Sequence, residues 1–210
     1  MLIDTTHNLL LLSLPLLGEV FKSGATYRPT NQSFPVSCQY WQPPKLAYMN
    51  SGFNRYVVGV GKNLWRQSQS CGQCLEVTNQ LKTIIVVIAD YCPPPCTPMQ
   101  LDLNQEASAA LNPHRSQPRN HFDLQVRLVE CQWPQNLTFH LDKGSSVYNW
   151  YMIPLYVKQP LKSVMVRGQQ ATHDLYGRWV IGFKHKFPVC NKSIEVMVNY
   201  NEKVFVDFKC

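Results

Sequence analysis

The sequence predicts a mainly β protein in two successive parts, the second of them a small β-sandwich. Three stretches carry that reading. Residues 83–89 (TIIVVIA) are a β-branched run, the pattern of a buried strand. Residues 123–131 (DLQVRLVEC) alternate apolar and polar positions, the pattern of a half-buried strand. Beyond Gln132-Trp133-Pro134-Gln135, six short runs are separated by turn clusters, the spacing of a small immunoglobulin-like sandwich.

The elements follow in chain order. Residues 9–17 (LLLLSLPLL) have the length of a signal-peptide core and are too short to span a bilayer. The segment before them carries Asp4 and no Lys or Arg, so a packed N-terminal helix is the competing reading. Residues 1–22 are set aside as a signal peptide or N-terminal extension. Residues 23–27 approach a strand, and residues 29–44 are a proline-rich loop pinned by Cys38. Residues 47–59 give a turn and a short strand. Residues 75–79 and 83–89 form a hairpin with its corner at Asn79-Gln80. A helix covers residues 106–111, residues 113–120 are loop, and residues 123–131 close the first part, residues 23–132. The second part, residues 137–210, has strands at 137–141, 148–157, 162–167, 179–183, 193–200 and 203–209.

Charged residues make up 16% of the chain and hydrophobic ones 45%, which describes a folded protein with few surface charges. The net charge of +7 comes without any Lys/Arg run. Nucleic acid is therefore not the expected partner, and a diffusely basic surface suits an acidic polymer or membrane surface better. Eight cysteines, an even count, fit an oxidising compartment. Cys190 and Cys210 are the only two after Cys131 and are expected to pair. Cys38, Cys71, Cys74, Cys92, Cys96 and Cys131 would then pair among themselves. The competing reading of Cys71/Cys74 with Cys92/Cys96 is a zinc knuckle, which export disfavours. Sequons at Asn31, Asn136 and Asn191 agree with export and glycosylation. No metal, cofactor or membrane span is expected, and a monomer is.

The chemistry concentrates between Cys71 and Leu111. The strand at residues 83–89 delivers Asp90 and Tyr91 to a Cys/Pro-rich loop, and that loop delivers Asp102. Each has an ordinary alternative. Asp90 could close a turn, Asp102 could cap the following helix, and Tyr91 could be a strand-end aromatic.

These residues resemble the expansins. Gly24-Ala25-Thr26-Tyr27 is similar to the family's opening G-x-A-T-Y, and Cys71-Gly72-Gln73-Cys74 to its C-G-x-C. Ala89-Asp90-Tyr91-Cys92-Pro93 resembles its T-D-x-C-P, and Leu101-Asp102-Leu103 its F-D-L-S. Residues 125–131 resemble the closing strand of its barrel, and Gly144-Ser145-Ser146 the opening of its second domain. The chain departs from the pattern at Gln100-Leu101, where the family has His-Phe before the second Asp. The literal His121-Phe122-Asp123-Leu124 falls beyond the helix and is a coincidence.

The resemblance implies a six-stranded double-psi β-barrel followed by a carbohydrate-binding β-sandwich. It implies a polysaccharide groove lined by Thr26, Asp90, Tyr91 and Asp102, with Asp102 in the place of the general acid of family 45 glycoside hydrolases. Inversion needs a second carboxylate as base, and residues 25–30 (ATYRPT) supply none. Asp90 is expected close to Asp102, where two carboxylates repel unless one holds a proton. In the second part Tyr148, Tyr176 and Trp150 are the expected stacking rings, Tyr148 and Trp150 sharing a strand face by their spacing. Trp150 and Trp179 have the sandwich core as their alternative. The reading is a secreted cell-wall protein that binds a β-glucan-type polysaccharide and loosens it without hydrolysis. A polysaccharide-cleaving enzyme using Asp102 as acid, and a pure binding module, are the alternatives.

Overall fold

Residues 20–28 do not end at the small-residue run that first marks them as a strand. In the computed structural model, which describes residues 18–28, 37–38, 56–112, 120–187, 192–199 and 202–208, strand β1 spans Val20–Arg28. It begins before the predicted start because Val20, Phe21 and Lys22 pair antiparallel with the closing strand. Residues 1–17, Asn31, Asn191, Cys190 and Cys210 lie outside the described residues, while residues 20–22, set aside with the leader, belong to β1.

Six strands close into a barrel: β1, β2 (Val57–Val60), β3 (Cys74–Thr78), β4 (Thr83–Tyr91), β5 (Leu101–Asn104) and β6 (His121–Val129). Their order around it is β1-β5-β2-β4-β3-β6. Two pairs are parallel, β1 with β5 and β2 with β4, and the rest are antiparallel. That is the double-psi arrangement. The hairpin β3–β4 turns at Asn79, whose side-chain Oδ1 accepts from the Leu81 and Lys82 amides at 2.9 and 2.8 Å. The barrel is filled by Val58, Val60, Leu75, Val77, Val86, Ile88, Leu101, Leu103, Leu124 and Val126.

Two short helices sit on the barrel. Helix α1 (Lys62–Trp65) runs into a 3-10 turn, Arg66–Ser68, in which all three residues have positive φ. Nothing in the sequence marks either one. Helix α2 (Gln105–Ala110) was expected. Its cap is Asn104, whose Oδ1 accepts from the Ala107 amide at 3.1 Å and from the Val57 amide at 3.2 Å. Asp102 is therefore not the helix cap.

The second part forms two four-stranded sheets. One is ordered β11 (Thr172–His173), β12 (Trp179–Gly182), β8 (Asn149–Leu155), β7 (Thr138–Leu141). The other is ordered β10 (Gln169–Gln170), β9 (Val164–Val166), β13 (Lys192–Val198), β14 (Glu202–Phe208). The six predicted strands are present, and β10 and β11 are additions too short to show a period. Trp150, Met152, Val164, Val166, Ile181, Val196 and Val198 fill the core.

The segment after the barrel is packed rather than loose. Trp133 is buried, donates from Nε1 to the Val157 carbonyl at 2.9 Å and meets Tyr156 edge-on. Ile153 of β8 joins the barrel's core cluster, so β8 is buried on both faces midway along. Among the described residues, no helix is long and apolar enough to cross a membrane.

The six described cysteines pair as Cys38–Cys71, Cys74–Cys131 and Cys92–Cys96. This overturns the zinc-knuckle alternative, since the sulfurs of both motifs are used in disulfides. Cys74–Cys131 ties the start of β3 to the end of β6 across a separation of 57 residues. Replacing both cysteines by alanine is expected to lower stability by about 4 kcal/mol, the chain-entropy value for such a loop. A urea titration of the variant with its other disulfides intact measures this, and a loss near zero would contradict it.

Candidate functional site

Four neighbouring strands align one residue each in a row. Asp90 on β4 lies opposite Gly59 on β2, Gly59 lies opposite Asp102 on β5, and Asp102 lies opposite Thr26 on β1. A register shift between β2 and β4 after Val58 leaves Ala89 as the extra residue and brings Asp90 level with Gly59. A Cβ at Gly59 would stand 3.6 Å from the Asp102 Cβ and 3.7 Å from the Asp90 Cβ. The glycine leaves the space between the two carboxylates to another side chain.

That side chain is Arg28. It follows Thr26 by two residues and so projects from the same side of β1. Its Nη2 lies 2.7 Å and its Nε 3.0 Å from Asp102 Oδ2, and its Nη1 lies 3.2 Å from Asp90 Oδ2. Thr26 Oγ1 donates to Asp102 Oδ1 at 2.9 Å. Ser37 donates to Asp90 Oδ1 from both its amide, at 2.9 Å, and its hydroxyl, at 2.6 Å. Asp90 is 1% and Asp102 7% exposed, so both charges are taken out of water and both are paired. The bare carboxylate pair expected from the sequence is thus a triad with one guanidinium at its centre. In every hydrogen bond of this cluster the carboxylates accept.

Thr26, Asp90 and Asp102 are brought together as expected. Tyr91 is not gathered with them. It alternates to the other side of β4, where its half-buried ring lies 5.7 Å from that of Trp65. Arg28 and Ser37 are the residues that sequence reasoning missed. The i, i+2 spacing of Thr26 and Arg28 was the available signal for the first.

The rings of the second part divide differently from expectation. Tyr148 and Tyr176 are exposed, at 43% and 54%. Trp150 is fully buried, met edge-on by Phe183 at 4.9 Å and Phe187 at 4.8 Å, and so it is a core residue and not a stacking platform. The two-residue spacing misled because Tyr148 precedes the strand. Ser146 Oγ accepts from the Tyr148 and Asn149 amides in a local turn, and β8 starts only at Asn149. Trp179 is buried too.

The outward residue of β8 is instead Tyr151. The Arg178 guanidinium lies 4.7 Å from its ring centroid and 5.1 Å from that of Tyr176. Arg178 is fixed by Asp174 at 2.7 Å and Asp142 at 2.9 Å. Asp174 Oδ1 also accepts from the Tyr176 and Arg178 amides at 2.9 and 3.0 Å, so the loop that carries Tyr176 is locked. The same loop touches the barrel. Ser68 Oγ donates to the Asp174 carbonyl at 2.6 Å. Gly177 has φ +74, and a Cβ there would reach 2.6 Å from Cys71 Sγ. The partner of that sulfur, Cys38, adjoins Ser37 and donates its amide to the Ala89 carbonyl at 3.2 Å. The Tyr176 loop and Asp90 are thus braced by the two ends of one disulfide.

No protein-family description matches the sequence, and no curated protein matches it. Solved structures do. The apo expansin of Clavibacter michiganensis superposes with a TM-score of 0.67 at 21% identity, covering 91% of each chain. An aspartate-to-asparagine mutant of that expansin, crystallised in complex with cellohexaose, gives the same score, identity and coverage. The chain has the expansin fold, a double-psi barrel followed by a β-sandwich.

Two expectations follow. Arg28→Met leaves two buried carboxylates without their cation and should destabilise the protein by about 3–5 kcal/mol. Arg28→Lys should recover only part of this, because a point charge cannot make the forked contacts. Denaturant midpoints of the two variants test the order. His173, beside this loop and edge-on to Trp179, has its pKa lowered by burial, partly offset by Asp174. A lowered folded-state pKa favours the neutral ring. Its contribution is therefore complete above the unfolded value of about 6.5 and lost as pH falls through the folded value. His173→Gln should flatten that part of a stability-against-pH curve, and an unchanged curve would count against it.

Proposed function

We propose that this protein binds a cell-wall polysaccharide of the β-glucan type and loosens its non-covalent contacts without hydrolysis. The observation that carries the reading is the exposure of two rings on loops of the same sheet, Tyr148 just before β8 and Tyr176 in the turn between β11 and β12. Flat rings stack on the apolar faces of glucosyl units and bury large area at little entropic cost. Arg178 ties the Tyr176 ring to that of Tyr151. The fold shared with an expansin that has been crystallised with cellohexaose supports a β-linked glucan as the ligand class.

The acidic row supports binding over cleavage. A general acid hands a proton to the leaving oxygen, and inversion needs a base across the sugar to activate water. Here the two carboxylates share one guanidinium, and each oxygen already accepts from a neighbour. Asp102 is the more exposed of the two. Its Oδ1 accepts from Thr26 and keeps one lone pair for a sugar hydroxyl, so its proposed role is to hold a glucan chain against the barrel. Thr26 orients it and Asp90 anchors Arg28.

The test is retention on insoluble cellulose, chitin and peptidoglycan, with reducing ends assayed in the supernatant. Retention on cellulose without new reducing ends is expected. Tyr148→Ala and Tyr176→Ala should each weaken retention by roughly 3- to 10-fold, the worth of one ring–sugar stack. Asp102→Asn should diminish loosening of a cellulose network while leaving retention by the sandwich. Release of reducing ends that Asp102→Asn abolishes would make the protein a hydrolase. No retention on any polymer would remove the platform reading.

A further inference from the structure

A groove away from the site just described runs beside the β13–β14 hairpin and has a volume of about 650 Å³. Asn136 stands on its rim, exposed, in the sequon Asn136-Leu137-Thr138. Leu137, Leu161 and Val204 contribute apolar wall, and Lys158 and Gln159 contribute polar groups. The remaining feature is Phe205, 68% exposed on β14. Among the described residues that strand is the edge of its sheet, paired with β13 and lying beside β7. An exposed ring on an unpaired edge invites association unless something covers it.

We propose that Asn136 carries an N-linked glycan whose first N-acetylglucosamine stacks on Phe205 and occupies this groove. The volume is that of a small-ligand site, and one ring among polar groups is the composition of a sugar subsite. Attachment follows the ordinary chemistry of a sequon in the secretory lumen. The Asn136 amide nitrogen loses a proton and bonds to the anomeric carbon of a lipid-pyrophosphate-linked oligosaccharide, whose C1–O bond breaks as the lipid pyrophosphate leaves. The six described cysteines, all paired in disulfides, fit the same oxidising compartment. Tethering makes the sugar's local concentration high, so a weak stack suffices to seat it. The bound glycan then shields the β14 edge and the ring. This inference does not depend on polymer binding, since the groove and the tyrosine platform are separate.

The experiment uses the full chain secreted from a eukaryotic host. Peptide mass analysis should find Asn136 occupied. Release of that glycan by peptide N-glycosidase should be slower from the native than from the denatured protein by roughly ten-fold, the factor for one ring–sugar stack. Phe205→Ala should remove most of that protection. It should lower the melting temperature of the glycosylated protein and leave that of the Asn136→Gln protein unchanged. Because Phe205 is exposed, its substitution leaves the fold intact. An unoccupied Asn136 overturns the proposal. So does protection that Phe205→Ala leaves untouched, or an equal melting shift in both backgrounds.

Discussion

The Arg28 guanidinium between Asp90 and Asp102 is the constraint on which the barrel's arrangement depends. Two carboxylates with 1% and 7% exposure have lost most of their hydration, and burial on that scale costs several kcal/mol per ion unless a counter-charge and hydrogen bonds offset it. The offset comes from β1 and the Ser37 turn. β1 must therefore lie beside β5 in one register. A slip of one residue would turn Thr26 and Arg28 to the opposite face together and leave both carboxylates without those partners. The parallel pairing Thr26↔Asp102 and Arg28↔Asn104 is thus enforced by charge as well as by backbone hydrogen bonds.

The same economy joins the two parts of the molecule. The Cys38–Cys71 disulfide holds the Ser37 turn over Asp90 on one side, and its Cys71 end receives the Gly177 backbone on the other. Only a residue without a Cβ fits there, at a φ that other residues adopt at a cost. Ile153 and Trp133 add apolar contact between barrel and sandwich. The ring of Tyr176 and the acidic row are therefore set by one covalent brace, although they come from different sheets and are far apart in sequence.

How much of this was legible in the sequence follows from the range of each interaction. The strands with long periodic patterns were readable, because burial on one face writes an alternation into the chain. So were Thr26, Asp90 and Asp102, whose motifs occur in a fixed order. Arg28 was not singled out, because a lone arginine at a strand end is ordinarily a solvated residue, and only the register places it between carboxylates. The Arg66–Ser68 turn was invisible for a different reason. Three successive left-handed residues without a glycine are held by packing, and no local preference signals them. Trp150 was misassigned by counting alternation from Tyr148, when the Ser146 turn delays the strand by one residue. Tyr151 was overlooked by the same count, since it takes the outward position that Trp150 was expected to hold.

The triad also bears on what kind of chemistry the row can support. A carboxyl that acts as a general acid must donate, and its neighbours must tolerate the neutral form. Around Asp102 the neighbours are a hydroxyl and a guanidinium, and both donate toward it. Removing its charge would leave Arg28 facing Asp90 alone at 3.2 Å, with its two shorter contacts weakened. In every contact of the row Asp102 accepts, whereas acid catalysis requires it to donate at each turnover. Accepting a hydrogen bond from a sugar hydroxyl makes no such demand, because the carboxylate keeps its charge and its partners. Under the proposed function, a surface that accepts at the barrel and stacks at the sandwich holds a glucan chain in competition with neighbouring chains. The proposed loosening follows that route, in which no bond in the polymer needs to break.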